Sequence, residues 1–276
     1  MRDDDLVEFL QWALPRLERK WSGYRKVRGQ VGGRIRDRLV ELGLGDLDAY
    51  RDYLREHQEE WEVLDRFCRI TISKFYRGRA TWDLLREDVL PELVRRARRA
   101  GRERLRAWSI GCASGEEPYT LRLCWELDVG ERCAETGLDI VATDADEHML
   151  ERAKAACYPS GCLKELPEEW RQIAFEEAGA EQDPWCLREE FRKGVAFAHQ
   201  DVRREQPKGA FDLVFCRYVV LIYFEEQVQR EVLGNVAARM REGAALVIGP
   251  KEDLPQGCGL EPWNASRKVY RRVPAT

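Results

Sequence analysis

The stretch Leu105–Leu127, LRAWSIGCASGEEPYTLRLCWEL, decides how the chain is read. Leu105 to Ile110 is a short, mostly apolar run, long enough for one buried strand. Gly111-Cys112-Ala113-Ser114-Gly115 follows as a tight turn of small residues. Glu116 to Leu127 then spaces Tyr119, Leu123 and Leu127 along one helical face, with Pro118 in the first turn, where a missing N–H costs little. Strand, small-residue turn and helix make the first βα unit of a nucleotide-binding sheet, because small residues let a ligand approach the backbone.

The turn also bears on the ligand's charge. A phosphate loop ends in Gly-Lys-Ser/Thr, and a dinucleotide fingerprint reads Gly-x-Gly-x-x-Gly. This turn has neither and runs into two acids, Glu116 and Glu117. Carboxylates at a helix N-terminus suit the macrodipole, which explains them by helix stabilisation alone. They also repel a pyrophosphate and attract an amine or a sulfonium. Both readings stay open on these residues.

Five motifs in order add a resemblance. Thr71-Ile72-Ser73-Lys74-Phe75-Tyr76-Arg77, Ser109 to Tyr119, Ala142-Thr143-Asp144-Ala145-Asp146, Phe211 to Arg217 and Leu221-Ile222-Tyr223-Phe224 resemble those of CheR-type methyltransferases, which methylate glutamates of bacterial chemoreceptors. The resemblance implies an α/β fold: a Rossmann-like class I methyltransferase sheet over 76–276, an all-helical domain over 1–75, and a small inserted subdomain at about 158–198. It implies S-adenosyl-L-methionine as cofactor, bound by Thr71, Ser73, Arg77, Gly111, Gly115, Glu117, Asp144, Asp201, Val202, Arg217 and Tyr218, with Glu116 competing for Glu117's role at the amine. Arg77 and Tyr223 are the expected catalytic residues: one grips a carboxylate, the other orients the acceptor. The chain departs from the family pattern at Thr71 (Asn in the family), at Ser73 (Thr), and in Cys216-Arg217-Tyr218, which lacks an Asn and is followed by one extra residue. Gly249-Pro250-Lys251-Glu252 stands where the family tends to have Gly-His-Ser-Glu.

Composition sets bounds. With 276 residues, 44% hydrophobic and 35% charged, the chain suits one large or two smaller soluble domains. No apolar run approaches a membrane span, and the acidic, amphipathic MRDDDLVEFLQW is unlike a signal peptide. Nine cysteines without a Cys-x-x-Cys pair point to free thiols in a reducing cytoplasm, and three histidines make a metal site improbable. The net charge of −4 argues against nucleic acid as partner, yet Arg16 to Arg38 holds nine basic residues and two acids. The run Arg25-Lys26-Val27-Arg28 with Arg34, Arg36 and Arg38 reads either as a solvated face or as a docking surface for an acidic helix. Arg95 to Arg106 is a second basic cluster, read as a solvated helix end and loop.

Local patterns fill in the rest. Leu6, Phe9, Leu10, Ala13, Leu14 and Leu17 keep helical spacing, cut short by Pro15; Val31, Ile35, Leu39 and Leu42 form a second stripe; Asp46 suits an N-cap. Strands are expected at Leu138 to Thr143, Phe211 to Cys216, Ala244 to Gly249 and Lys268 to Val273. Asp144 ends its strand where a carboxylate can accept from both ribose hydroxyls, while Asp146 fits a helix cap. The expected protein is a cytoplasmic monomer that methylates glutamates of an acidic, helical, chemoreceptor-like protein. A methyltransferase acting on a small-molecule acid or thiol, or a catalytically silent cofactor-binding module, are the alternatives.

Overall fold

In the helical part of the chain, apolar spacing and caps decide where each helix runs. The computed structural model describes residues 2–133, 136–179, 185–264 and 268–273. The helices are α1 (Asp3–Ala13), α2 (Trp21–Tyr24), α3 (Arg28–Leu42), α4 (Leu47–Glu56) and α5 (Glu60–Phe67). Helix α1 stops before Pro15, which opens a 3-10 turn at Leu14–Leu17. Asp46 caps α4 by accepting from the Ala49 N–H at 2.9 Å. Phe9, Leu10, Val31, Ile35, Tyr50, Leu54 and Leu64 are fully buried together.

Two units divide the chain: Met1–Ile70 with Val219–Gln229, and Thr71–Tyr218 with Arg230–Thr276. The sequence reading keeps 76–276 whole; the structure moves Val219–Gln229 into the helical unit because backbone bonds hold it there. Lys20 N donates to Tyr223 O at 2.8 Å, Glu225 N to Glu18 O at 3.0 Å, and Lys20 Nζ to Leu221 O at 2.8 Å. Beside them the buried Arg19 donates to Asp65 Oδ1 at 2.9 Å and to the Tyr24 hydroxyl at 3.0 Å.

The second unit carries α6 (Arg79–Leu84), α7 (Leu90–Arg99), β1 (Arg104–Ile110), α8 (Glu116–Cys124), α9 (Gly130–Arg132), β2 (Gly137–Asp144), α10 (Glu147–Ala155), β3 (Cys157–Tyr158), α11 (Glu168–Ala174), β4 (Phe175–Glu177), β5 (Trp185–Leu187), β6 (Val195–His199), β7 (Phe211–Cys216), β8 (Met240–Ile248), β9 (Leu260–Pro262) and β10 (Val269–Arg272). The main sheet runs β6-β2-β1-β7-β8-β10-β9. Its first five strands are parallel, and β10 and β9 close the edge antiparallel. Parallel strands covered on both faces read as near-continuous apolar runs, and every residue of β7 is buried, including Asp212, which pairs with Arg102. Strand order reverses between β1 and β7, so a crevice opens where these strands end. Among the described residues no helix is long and apolar enough to cross a membrane.

The inserted segment forms a separate antiparallel sheet, β3-β5-β4, with strands of two or three residues, too short to show alternation in sequence. It stops before β6, which belongs to the main sheet. Cys157 and Cys186 stand opposite each other in the β3–β5 register and are bonded, so the expectation that all nine thiols are free is corrected to seven.

Buried polar contacts in the helical unit lead to a pH test. Glu60, 2% exposed, accepts from Tyr50 Oη at 2.8 Å and takes Arg38 on both oxygens at 3.0 and 2.8 Å. Burial pushes its carboxyl up, but the bonds from Arg38 and Tyr50 outweigh burial and hold it below its ordinary value of 4.5. A depressed carboxyl stabilises the fold above the unfolded value, and that contribution fades as pH falls through the depressed one. Glu60→Gln should therefore cost roughly 1.5–3 kcal/mol near pH 7. Urea unfolding followed by circular dichroism should show the gap to the unaltered chain narrowing as pH falls below 4.5; a widening gap would refute the assignment.

Candidate functional site

The crevice is floored by the turn after β1. Gly111, Ala113 and Gly115 take left-handed φ values of 65°, 47° and 91°, which fold the chain back into α8. At Gly115 a Cβ would lie 3.0 Å from the Ala153 Cβ and 3.1 Å from the Tyr119 ring, so only glycine fits. Gly111 N and Cys112 N both donate to Thr143 O, at 2.8 and 3.0 Å, which ties the turn to the end of β2. Ala113 N then donates to Asp144 Oδ2 at 2.8 Å, and Asp146 N to Asp144 Oδ1 at 2.9 Å. Asp146, not Asp144, caps α10 by accepting from Met149 N. Each Asp144 oxygen thus accepts from one of these two backbone donors, which fixes the carboxylate at the mouth of the turn.

The two acids after the turn separate by environment. Glu116 is 2% exposed and is held by the Ser114 hydroxyl, 2.9 and 3.0 Å from its oxygens, and by the Ser73 side chain. Glu117 keeps 15% of its side chain exposed; it accepts from Ser109 Oγ at 2.8 Å and pairs with Arg217 Nη1 at 3.2 Å. Burial raises the carboxyls of both; at Glu117 the opposing pull comes first from the Arg217 charge. A partly reachable, desolvated carboxylate is stabilised by an added cation, so Glu117 is the better partner for an amine.

Arg217 closes the crevice from β7. Its side chain is 2% exposed, Nη2 donates to Arg77 O at 2.6 Å, and its guanidinium lies 5.8 Å from the Trp82 ring. Arg77 donates to Ile72 O at 2.8 Å and lies 3.7 Å above the Tyr218 ring. Ser73, Arg77, Gly111, Gly115, Glu117, Asp144, Arg217 and Tyr218 thus gather in one unit. Thr71 is half-buried in that unit. Val202 is buried nearby in sequence to Asp201, whose carboxylate is gripped by Arg203 at 2.6 to 3.1 Å instead of standing open as an acceptor. Tyr223 lies in the helical unit, its ring 5.0 Å from that of Tyr24. Ser109, Trp82 and Glu252 enter the network without having been singled out for it in the sequence. The first two look like ordinary strand and helix core residues; Glu252 was marked only by its place in Gly249 to Glu252.

The basic run also separates. Arg28 pairs with Asp3, Arg34 donates to Phe67 O and Arg69 O, and Arg38 grips Glu60 and Glu41. The expectation of a single basic face from Arg25 to Arg38 is corrected accordingly. Among the described residues, Arg25, Lys26 and Arg36 are exposed with their side chains unpaired.

The residues present suit a cationic nucleoside such as S-adenosylmethionine: small residues at the turn, carboxylates and arginines beside it, and no phosphate loop. No cluster of three potential metal ligands forms among the described residues. Comparison with known proteins points the same way. Residues 71–267 match the CheR methyltransferase, SAM-binding domain. A chemotaxis protein methyltransferase of Listeria monocytogenes is 34% identical over 221 residues, covering 78% of this chain and 80% of the relative. A probable chemotaxis protein methyltransferase of Rhizobium etli is 32% identical, covering 80% and 83%, and the Escherichia coli K12 chemotaxis protein methyltransferase is 29% identical, covering 82% and 77%. The N-methyltransferase NodS of Bradyrhizobium japonicum, 15% identical over 60% of this chain and 64% of its own, has a TM-score of 0.31, too slight a likeness to add to the strand order. The matched family, its motif residues and the crevice they line agree: this chain belongs to the CheR methyltransferases and is an S-adenosylmethionine-dependent methyltransferase.

Proposed function

We propose that the chain O-methylates glutamate side chains of a chemoreceptor-like protein in the cytoplasm. The observation that carries this reading is the unpaired, exposed trio Arg25, Lys26 and Arg36 on the helical unit, suited to an acidic helix. The names of the relatives, chemotaxis protein methyltransferases, support the same substrate class.

When bound, S-adenosylmethionine supplies an electrophilic methyl group on a cationic sulfur. A glutamate side chain in water titrates at about pH 4.3, so a glutamate acceptor is ionised at neutral pH and requires no general base. The chain's own residues then have to hold, orient and dry the reactants, which supplies several kcal/mol through positioning. In this reading Glu117 meets the amine, Asp144 the ribose hydroxyls, and Arg77 a carboxylate in a two-point grip. Ser73 acts through Glu116; Thr71, Gly111, Gly115, Asp201, Val202, Arg217 and Tyr218 shape the pocket. Tyr223 is assigned the acceptor on its motif, Leu221-Ile222-Tyr223-Phe224.

Titration calorimetry on Asp144→Ala should show affinity for S-adenosylmethionine weakened by roughly 1–3 kcal/mol, the scale of a lost charged hydrogen bond. Unchanged affinity would place the ribose elsewhere. With a labelled methyl donor, label should enter protein and leave as methanol in alkali, because the product is a carboxyl ester. Replacing Arg25, Lys26 and Arg36 with alanine should lower that labelling without weakening cofactor affinity. The loss should shrink in high salt, which screens exposed charges. Label found in an alkali-stable small molecule, indifferent to these three residues, would replace the glutamate reading with a small-molecule acceptor.

A further inference from the structure

Tyr218 occupies the position where the family pattern has asparagine, and its φ is +61°. Asparagine visits the left-handed region readily; a bulky aromatic residue does so only when its surroundings hold it there. The surroundings here are Glu252 and Gly249. Glu252, 3% exposed, accepts from Tyr218 N on Oε1 at 2.9 Å and from Gly249 N on Oε2. Lys268 Nζ anchors the same turn by donating to Glu252 O. A Cβ on Gly249 would fall 2.5 Å from Glu252 Oε2 and 3.0 Å from Tyr218 Cε1, so glycine is what lets carboxylate and ring close on this strand end.

Both groups facing Glu252 are N–H donors, so only a group with two acceptor oxygens satisfies them. A glutamine would turn its amide NH2 against one of them. The turn so held sets the Tyr218 ring 3.7 Å beneath the Arg77 guanidinium and 5.3 Å from that of Arg217. Among the described residues the Arg77 side chain also donates to the carbonyl of Ile72, a residue itself 51% exposed, and its charge acts on Glu117 without a hydrogen bond. The aromatic face is therefore the firm support that fixes where the Arg77 charge points.

We propose that Glu252 is a positioning residue of the cofactor site: by accepting from both backbone donors it locks the left-handed turn at Tyr218, whose ring holds Arg77 ready for the cofactor's carboxylate. This rests on the reading above that Arg77 grips a carboxylate, and takes that carboxylate to be the cofactor's.

The experiment is titration calorimetry with S-adenosylhomocysteine, which keeps the amine and carboxylate, with thermal melting as a check on folding. Tyr218→Leu should weaken binding roughly fivefold, and Tyr218→Phe should recover most of that loss, since the ring face and not the hydroxyl carries the contact. Glu252→Gln should weaken binding by a similar factor and should add little in an Arg77→Ala background, as coupled residues do. If Glu252→Gln lowers the melting temperature but leaves affinity intact, or if its effect is undiminished without Arg77, the positioning role is overturned. Should that variant not fold, equal affinities for Tyr218→Leu and Tyr218→Phe overturn it independently. Arg77→Ala with unaltered affinity would overturn the reading of Arg77 itself, an outcome distinct from the others.

Discussion

The crevice depends on one buried charge, the guanidinium of Arg217. Taking it out of water is costly unless charge and hydrogen bonds are returned to it, and removing one partner of such a pair costs several kcal/mol. Glu117 and the Arg77 carbonyl return them, from two different segments of the chain. Because β1 and β7 pair in register at Ile110 and Cys216, Arg217 emerges beside the Gly111 turn. The sheet thereby delivers the cation, α8 delivers the anion, and the segment before α6 is drawn in between. Glu117 accepts from Arg217, whose charge opposes the burial that raises its carboxyl.

Local chemistry was legible wherever its period and its caps lie within a few residues of each other. The strand, turn and helix of Leu105–Leu127, the shortening at Pro15 and the caps at Asp46 and Asp146 all depend on near neighbours. So does the assignment of Asp144 to a strand end, since Asp146 is the residue that caps the helix. The basic run does not show in sequence that it is divided, because the acids that neutralise it are distant: Glu60 lies 22 residues from Arg38, and Asp3 lies 25 from Arg28. Distance along the chain likewise hid the Cys157–Cys186 bond, with a separation of 29, and the reach of Glu252 back to Tyr218 over 34 residues. Strands of two or three residues show no alternation, which is why the small inserted subdomain is legible by resemblance and not by its own pattern.

The discontinuous helical unit has a consequence for biosynthesis. Its first seventy residues leave the ribosome long before Val219–Gln229 is made. At ordinary synthesis rates the wait is on the order of ten seconds. Throughout it the Lys20 N–H and the Glu18 carbonyl lack the partners they have in the finished protein, and Tyr24 lacks the ring of Tyr223. The nascent bundle is therefore completed late, by a strip of chain that arrives after most of the sheet has been translated. For the same reason the helical unit is not a cassette that can be cut from the gene at residue 70: exchange between relatives has to carry both pieces together.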